Sequence, residues 1–422
     1  MNVVIRFYLF ILFSALSHLA QADPEPKAAN GEMDLRQWNF AEQSALRLSG
    51  QWQFYLNQLV DPTEIKKEGA LKNLIDFPST WNGISDSHNS GIGYATYQLR
   101  IILPNHSNPL ALELPDFYCS YKLWINEKLI AKNGEVATTA EQSKPQWLPQ
   151  TVVFQPTADT LDIVIHVSNF DHYKGGIREP IYIGAVDQMQ ARRNSFVISN
   201  SILCVVLLLM SLTFLLIYFI GKKNISMSYF AIICLAWGIR SVFSNNYLFI
   251  SLFPDFPWHI AVRIEYLTLY FTMIYAMLFL GSIFKDDVNF LVKYALIGGN
   301  LIFAFTTLFS PTVFFTQLLP IYLSFCAVLI LYAIFVVLRA LVYDRKGVWF
   351  VIASILLGIL IFGVDLLAYQ GLAPFNALIF YIGYLIMFSL NCLCLLYVSG
   401  FIFKSKKDES IMRFEDYFGK NK

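Results

Sequence analysis

The chain has 422 residues with 31 Lys or Arg and 30 Asp or Glu, and these charges are unevenly distributed. Residues 1–195 hold 36 of them, residues 196–403 hold 15, and the last nineteen residues hold 10. This pattern excludes a uniform soluble domain, because the middle block is too apolar to face water. The near-zero net charge and the absence of a basic stripe interleaved with aromatic residues give no indication of a nucleic acid partner.

The N-terminus, residues 1–22, has the pattern of a secretory signal peptide. Arg6 precedes an apolar run over residues 7–15, and Ala-Gln-Ala at residues 20–22 provides a small-x-small cleavage site. An uncleaved membrane anchor is the alternative, but the apolar run is short for a span and is followed by Ser17. The next domain is therefore expected outside the cytoplasm, in the periplasm if the cell is a Gram-negative bacterium.

The cysteines predict neither a disulfide framework nor a metal site. The exported region contains only Cys119, and the other five cysteines lie in apolar stretches, where they are expected to pack as small core residues. No metal-ligand spacing of His and Cys occurs in the sequence, so no metal and no cofactor are expected.

The exported region, residues 23–190, alternates apolar and polar residues with a period of two between turn signals. Clear examples are Tyr97 to Leu103 and Leu161 to Val167. Such short strands predict an antiparallel all-β sandwich with one buried face on each sheet, and its length suffices for one core.

Five motifs in this region carry a resemblance to a known fold. In chain order they are Gly50–Tyr55 (GQWQFY), Phe77–Trp81 (FPSTW), Gly93–Tyr97 (GYATY), Leu123–Ala131 (LWINEKLIA), and Val167–Phe170 (VSNF) followed by Gly175 and Gly176. Their order resembles the galactose-binding-like jelly roll that opens family 2 glycoside hydrolases. The same module forms the extracellular domain of bacterial seven-transmembrane receptors with diverse intracellular signalling modules, the 7TMR-DISM family.

The resemblance implies a binding module, because the catalytic barrel of the glycosidases is absent and no carboxylate pair converges for hydrolysis. An enzyme is therefore not expected. Aromatic and polar residues that suit stacking on sugar rings form the candidate ligand site. They are Trp81, Trp124, Trp147, Asn169, His172, Tyr173 and Arg178. A structural role, above all as core residues, is the competing interpretation for this set.

The apolar block, residues 195–403, predicts an all-α bundle of seven transmembrane helices at about 20 residues per crossing. Basic residues follow the first, third, fifth and seventh spans, whereas the loops after the second, fourth and sixth carry no Lys or Arg. This distribution predicts the N-terminus outside and the C-terminus inside. With the signal peptide, it predicts a multi-pass inner-membrane protein with a periplasmic N-terminal domain.

Four ionisable residues remain inside the predicted spans: Arg240, Arg263, Glu265 and Asp365. Counting 1.5 Å per residue places all four in the outer third of the bilayer, where opposite charges lower the cost of burial. One interpretation is a structural polar network, with Arg263 snorkelling to the interface. The other is a coupling network from sandwich to helices, with Arg240 and Glu265 as the central pair.

Other uses of seven helices are disfavoured by the sequence. A retinal protein needs a buried Lys in the last helix, and none occurs between Phe375 and Phe403. A transporter would show corresponding broken helices in two repeats, and no such repeat is visible. The order of sandwich and helices resembles the 7TMR-DISM receptors along nearly the whole chain. In that family the sandwich is thought to sense a carbohydrate-like ligand.

The C-terminal segment, residues 404–422, departs from that family. Its members commonly continue into a histidine kinase, a diguanylate cyclase or another output domain, whereas this segment is expected to lack catalytic activity. Ile411, Phe414 and Phe418 recur at helical spacing. The segment is expected either to lie flat on the inner membrane surface or to dock a separate kinase or cyclase.

Two functions therefore remain open on the sequence. The first is a receptor that detects an extracytoplasmic, carbohydrate-like ligand and signals through a separate cytoplasmic partner. The second is a non-signalling, membrane-anchored carbohydrate-binding or scaffold component of an envelope complex. In both cases the lipid bilayer surrounds the helices.

Overall fold

A computed structural model describes residues 25–64, 73–84, 90–104, 108–221, 223–244, 247–369 and 377–400. The predicted signal peptide and the tail with Ile411, Phe414 and Phe418 lie outside the described residues. The side chain of Asp365 also lies outside them, although its backbone belongs to a described helix.

Eleven strands of the described chain form two sheets. Apolar and polar residues alternate along each strand, so each strand has an apolar face to bury. The strands are β1 (Glu32–Asp34), β2 (Leu46–Leu48), β3 (Gly50–Leu56), β4 (Asn73–Phe77), β5 (Gly93–Ile102), β6 (Leu110–Leu114), β7 (Ser120–Ile125), β8 (Lys128–Asn133), β9 (Gln150–Phe154), β10 (Thr160–Asn169) and β11 (Ile181–Ala185). One sheet has the order β4-β3-β5-β10-β7-β8, with β1 parallel to β5, and the other has the order β2-β11-β6-β9.

The core of the sandwich lies between these sheets. Alternate residues of β5 and β10, paired in antiparallel register, supply its centre, and β6 and β11 supply the opposite wall. Trp52 stacks on Phe77 with ring centroids 3.9 Å apart, and Trp81 and Tyr97 are fully buried beside them. The predicted all-β sandwich is thus confirmed.

Helices make up the rest of the described chain. They are α1 (Val186–Ile220), α2 (Ile225–Phe243), α3 (Leu248–Leu252), α4 (Trp258–Ile283), α5 (Phe290–Phe309), α6 (Thr312–Gln317), α7 (Leu319–Val342), α8 (Val348–Tyr369) and α9 (Ala377–Val398). Six of them, namely α1, α2, α4, α5, α7 and α9, are long and apolar enough to cross a membrane, and α8 is a further apolar helix. The predicted all-α region after the sandwich is confirmed.

The bounds of three helices differ from the predicted spans. The first helix begins at Val186, directly after β11, and so includes residues that the sequence assigned to the sandwich. The second ends at Phe243 rather than Ile250, because the backbone becomes extended at Ser244. Tyr247, in a left-handed conformation, then precedes the separate helix α3. The fifth predicted span divides into α6 and α7, with Pro320 in the first turn of α7.

The helices pack mainly with their neighbours in the chain, and α9 packs against α1 and α8, which brings the last helix back to the first. Helix α1 also contacts β6, β9 and β11, so the sandwich is attached to the bundle by a continuous helix. The end of the bundle that faces the sandwich carries the candidate site.

Candidate functional site at the sandwich–membrane junction

Three loops of the sandwich rest on the helix ends that face them. We call this region the junction; on the sandwich side it comprises loop residues 115–119, 143–147 and 169–179. Tyr118 and Trp147 share one buried apolar cluster with Tyr247, Ile250 and Trp258 of the membrane domain. The two domains therefore have a common core at their boundary as well as a covalent link.

Trp147 is the centre of the aromatic part of the junction. Its ring centroid lies 5.3 Å from that of Tyr247 and 5.1 Å from that of Trp258, which it meets edge to face. On the sandwich side it contacts Tyr118 and His172, whose rings stack at 4.4 Å. Edge-to-face pairs favour one relative orientation, so this cluster fixes the sandwich on the helices.

Three polar contacts cross the same boundary. The Gln146 side-chain amide donates to the Pro254 carbonyl at 2.6 Å, and the Tyr173 backbone N–H donates to the Thr316 hydroxyl at 3.1 Å. The imidazole Nε2 of His259 lies 3.7 Å from the Asp171 carboxylate. Two sandwich loops thus contact three different segments of the membrane domain.

A group of charged residues occupies another part of the junction. Arg178 pairs with Glu179 at 2.5 Å on the sandwich, and the buried Asp116 is within electrostatic range of both. On the helices, Arg240 donates to the backbone carbonyl of Glu265 at 2.5 Å, and its other terminal nitrogen is 4.0 Å from the Glu265 carboxylate. Glu265 is in turn within range of Arg178 and Asp116.

The burial of these groups changes their protonation on the sandwich side. Desolvation, together with the negative charge of Glu179, raises the pKa of Asp116 to about 7. Desolvation lowers the pKa of His172 to about 3, so its imidazole is neutral in the aromatic cluster. Burial at the junction therefore raises the pKa of the Asp116 carboxyl group toward neutral pH.

The predicted coupling residues are placed differently from one another. Arg240 and Glu265, on the antiparallel neighbours α2 and α4, are adjacent. Arg263 instead donates to the backbone carbonyls of His259 and Ser310, both at 3.0 Å, so it bonds to helix-end carbonyls. The described contacts thus place Arg240 beside Glu265 and Arg263 with a separate set of groups, and a coupling role for these residues stays a prediction.

The seven predicted ligand residues do not form one open surface. Trp81, Trp147, Asn169 and His172 are buried, while Tyr173 and Arg178 are partly exposed at the junction. Trp124 lies apart on β7, where its half-buried ring meets that of His166 at 4.5 Å. Most of these residues therefore lie in the junction loops or pack against them. A role for the set in ligand binding stays a prediction.

Asn169 shapes the junction loop that follows it. Its amide nitrogen donates to the carbonyls of Gly91 and His172 at 2.7 Å and of Lys174 at 2.9 Å. Its carbonyl oxygen accepts the backbone N–H of His172 at 3.0 Å. Trp81 supports the same loop through bonds to Gly91 and Gly175, and a side chain on Gly175 would collide with the Trp81 ring.

Replacing Asn169 with Asp is expected to cost about 2 kcal/mol or more, because a carboxylate would face three carbonyl oxygens in a buried site. The thermal unfolding midpoint of the full chain in nanodiscs measures the loss. Asn108→Ala, at an exposed loop position before β6, is the control and should change the midpoint little. An Asn169→Asp variant as stable as wild type would contradict the structural role of the amide.

Sequence reasoning missed two sets of charged residues. Asp116 and Glu179 were not singled out, although an acid between apolar strands, as Asp116 is, was a visible signal. At the opposite end of the bundle, Asp287 is buried and lies 2.9 Å from Arg345 and 3.4 Å from Arg339. The opposite charges of two loops, residues 285–287 and 343–347, could have predicted this second cluster.

Asp287→Asn is expected to destabilise the bundle by about 2 kcal/mol, because it leaves two guanidinium groups without their shared buried carboxylate. The neighbouring Asp286→Asn is a matched control, since Asp286 also pairs with Arg345, at 3.1 Å, but is 73% exposed. An exposed pair contributes at most about 1 kcal/mol, so this variant should unfold close to wild type. Equal losses in the two variants, measured by thermal unfolding in detergent, would refute the prediction.

A folded β domain seated on membrane-length helices, with a shared core at the boundary, defines a polytopic membrane protein with an attached β-sandwich. Residues 198–405 match the family model described as 7TM diverse intracellular signalling. With its membrane-length helices, this region of the chain is a 7TM domain of the 7TMR-DISM family. The family that the sequence resembles is thereby confirmed.

Solved structures similar to part of the chain are bacterial β-glucuronidases. An enzyme from an uncultured Clostridium sp. is 18% identical with a TM-score of 0.27, covering 33% of this chain and 28% of its own. An enzyme from Ruminococcus gnavus is 12% identical with a TM-score of 0.27, and the match covers 33% of this chain and 27% of the enzyme. An enzyme from Faecalibacterium prausnitzii is 18% identical with a TM-score of 0.26, and the match covers 34% of this chain and 31% of the enzyme. The chain thus spans less than a third of each enzyme. No curated protein matches the chain significantly.

Proposed function

We propose that the protein is a non-enzymatic inner-membrane receptor whose sandwich detects a ligand outside the cytoplasm and whose helices pass the signal inward. The observation that carries this proposal is the shared core at the junction. Because Trp147 packs simultaneously on sandwich and helix residues, a displacement of the sandwich loops is transmitted to α4 and the α2–α4 connection.

The orientation in the proposal has the sandwich in the periplasm and the C-terminus in the cytoplasm. It is supported by the basic residues that follow the odd-numbered spans and by the signal-peptide pattern. In this orientation the junction lies at the periplasmic surface of the inner membrane. Trp and Tyr side chains are favoured at such membrane–water interfaces. The cluster of Asp287, Arg339 and Arg345 then lies at the inner face.

The ligand proposed is carbohydrate-like, and the loop of residues 169–178 is the segment on which it acts. Of the predicted ligand-binding residues in this loop, Tyr173 and Arg178 are partly exposed. The loop contacts the membrane domain through Asp171 and Tyr173. A ligand that displaces this loop would therefore change contacts with α4 and α6. The output is proposed to pass to a separate cytoplasmic protein, a kinase or a diguanylate cyclase, docked by Ile411, Phe414 and Phe418.

Co-purification of the full chain from native membranes, followed by identification of the bound proteins, tests this function. The receptor proposal predicts a cytoplasmic signalling enzyme whose activity changes when envelope polysaccharide fragments are added. Tyr173→Ala should reduce this response and leave the protein folded. Deleting residues 405–422 should release the enzyme.

The alternative, an envelope scaffold, predicts a different result from the same preparation. Constitutive association with envelope proteins, with no signalling enzyme and no response to polysaccharide, would favour the scaffold and reject the receptor. Unchanged enzyme binding after deletion of residues 405–422 would reject the proposed docking segment only.

A further inference from the structure

A lysine and three tyrosines gather at the end of the bundle opposite the junction. Lys293 and Tyr294 lie near the start of α5, Tyr229 lies near the start of α2, and Tyr275 lies in the last third of α4. Helix α4 packs against both α2 and α5, so it forms the floor between them. Because helical side chains lean toward the N-terminus of their helix, those of α2 and α5 lean toward this end of the bundle. We call these four residues the lysine–tyrosine site.

Lys293 lies across α4 and is held there by a close approach to Gly281. A Cβ atom at Gly281 would lie 3.0 Å from the Lys293 Cδ and 3.7 Å from its Nζ, so the side chain passes over the space that the glycine leaves. The ammonium nitrogen is 4.6 Å from the centre of the Tyr294 ring, which is a cation–π contact. The positive charge is thereby fixed in the groove between α4 and α5.

The tyrosines line the same groove on the outer surface of the bundle. The ring centroids of Tyr229 and Tyr275 are 6.1 Å apart, and Tyr294 lies within electrostatic range of Tyr229. Tyr275 continues the stripe of α4 that includes the exposed Ile260 and Phe271 at helical spacing, so it faces outward from the bundle. Tyr294 is itself 48% exposed. The groove is therefore open to the lipid that surrounds the helices.

The charge of Lys293 has no acidic partner in the part of the chain that the structure describes. The two acids that precede it in sequence, Asp286 and Asp287, are paired with Arg345, and Asp287 also lies near Arg339. An unpaired charge at the edge of the hydrocarbon region is costly, so Lys293 favours a bound anion.

The tyrosine hydroxyls add hydrogen-bonding capacity to this charge. Elsewhere in the bundle, the hydroxyls of Tyr322 and Tyr332 donate to Asn300 and Asn289. Among the described residues, the three tyrosine hydroxyls of the lysine–tyrosine site have no such partner. The site thus combines one cation with several free donors, which suits an anion that has several acceptor oxygens.

We propose that the lysine–tyrosine site binds the phosphodiester headgroup of an anionic phospholipid, with the Lys293 ammonium on the phosphate and the tyrosine hydroxyls donating to headgroup oxygens. A lipid fits better than a soluble anion, because the exposed Phe271 and Leu291 beside the site provide apolar contacts for its acyl chains. The bound lipid joins the ends of α2, α4 and α5. In the proposed orientation it belongs to the cytoplasmic leaflet, and its binding requires neither the carbohydrate-like ligand nor the cytoplasmic partner.

Native mass spectrometry of the full chain, delipidated in detergent and titrated with single lipids, tests this proposal. Dioleoyl phosphatidylglycerol should bind about fivefold more tightly than dioleoyl phosphatidylcholine, because the choline cation cancels the headgroup charge that Lys293 attracts. Equal affinities would overturn the proposal. Inorganic phosphate should not displace the bound phosphatidylglycerol, and displacement would overturn the assignment to a lipid.

Four variants assign the preference to the site. Lys293→Gln should abolish it, whereas Lys293→Arg should keep it. Lys346→Gln is the matched control, because it makes the same substitution at an exposed loop position at the same end of the bundle, and it should bind like wild type. A preference that persists in Lys293→Gln, or that Lys346→Gln loses equally, would overturn the proposal.

Tyr294→Phe keeps the test decisive if Lys293→Gln fails to fold. The variant removes only a hydroxyl at a half-exposed position, so the protein should stay folded. Phosphatidylglycerol should bind it about threefold more weakly than wild type, because one donor to the headgroup is lost. Unchanged binding would contradict the role of the tyrosines. Neither result affects the proposed receptor function, because the measurement uses no polysaccharide and no signalling enzyme.

Discussion

Trp147→Ala is expected to separate the sandwich from the helices while both stay folded. The variant removes the ring that meets Tyr118 and His172 on one side and Tyr247 and Trp258 on the other. Truncating a buried Trp costs about 4 kcal/mol, and here the loss falls mainly on the contact between the domains. The receptor response should be lost as well, because loop movements would no longer reach α4.

Cys119 provides a direct readout of this separation. It is fully buried in the junction cluster, 1% exposed, so a membrane-impermeant maleimide should modify it slowly in wild type and rapidly in Trp147→Ala. Mass spectrometry of the full chain in nanodiscs identifies the modified residue. Trp124→Ala is the matched control, because it truncates the same side chain on β7 away from the junction. Persistent protection of Cys119 in the Trp147 variant would contradict the prediction.

Arg240→Gln is expected to have the second-largest effect, about 3 kcal/mol. The substitution removes both the bond to the Glu265 backbone carbonyl and the positive charge beside its carboxylate. Glu265→Gln should cost less, because Arg240 keeps the backbone carbonyl as an acceptor. Thermal unfolding of the full chain in detergent, followed by the loss of the monodisperse peak, ranks the variants.

The charge-reversed double variant Arg240→Glu with Glu265→Arg tests the pairing. It retains opposite charges but loses the guanidinium bond to the carbonyl at residue 265, so we expect it to recover only part of the loss. Its stability should lie between those of Arg240→Gln and wild type. A double variant no more stable than Arg240→Gln would show that the backbone bond, rather than the pairing, carries the effect.

The architecture was predictable because its signals are local. Alternation such as Tyr97 to Leu103 buries one face of a strand, and apolar runs of about 20 residues cross a membrane, whatever the rest of the chain does. The helix bounds were less predictable, since the break before α3 depends on the backbone of Tyr247, and the separation of α6 from α7 coincides with Pro320 in the first turn.

The candidate site was only partly predictable because its members are distant in sequence. The pairing of Arg240 with Glu265 was inferred from two consecutive antiparallel helices. By contrast, the contacts of Trp147 with Trp258 and of Asp171 with His259 join loops and helix ends more than 80 residues apart. Periodicity contains no information on such contacts, so the loop of residues 169–178 had the appearance of a solvent-facing ligand loop.

The sequence by itself determined that a β domain precedes a bundle of membrane helices, because hydropathy and side-chain alternation follow from the solvent each residue meets. It also determined the charge imbalance along the chain. Only the tertiary structure decided where the remaining charges meet. It brings Asp116, Arg178 and Glu179 of the sandwich into range of Glu265 on α4, because the packing of aromatic rings around Trp147 excludes water and places the two domains in contact.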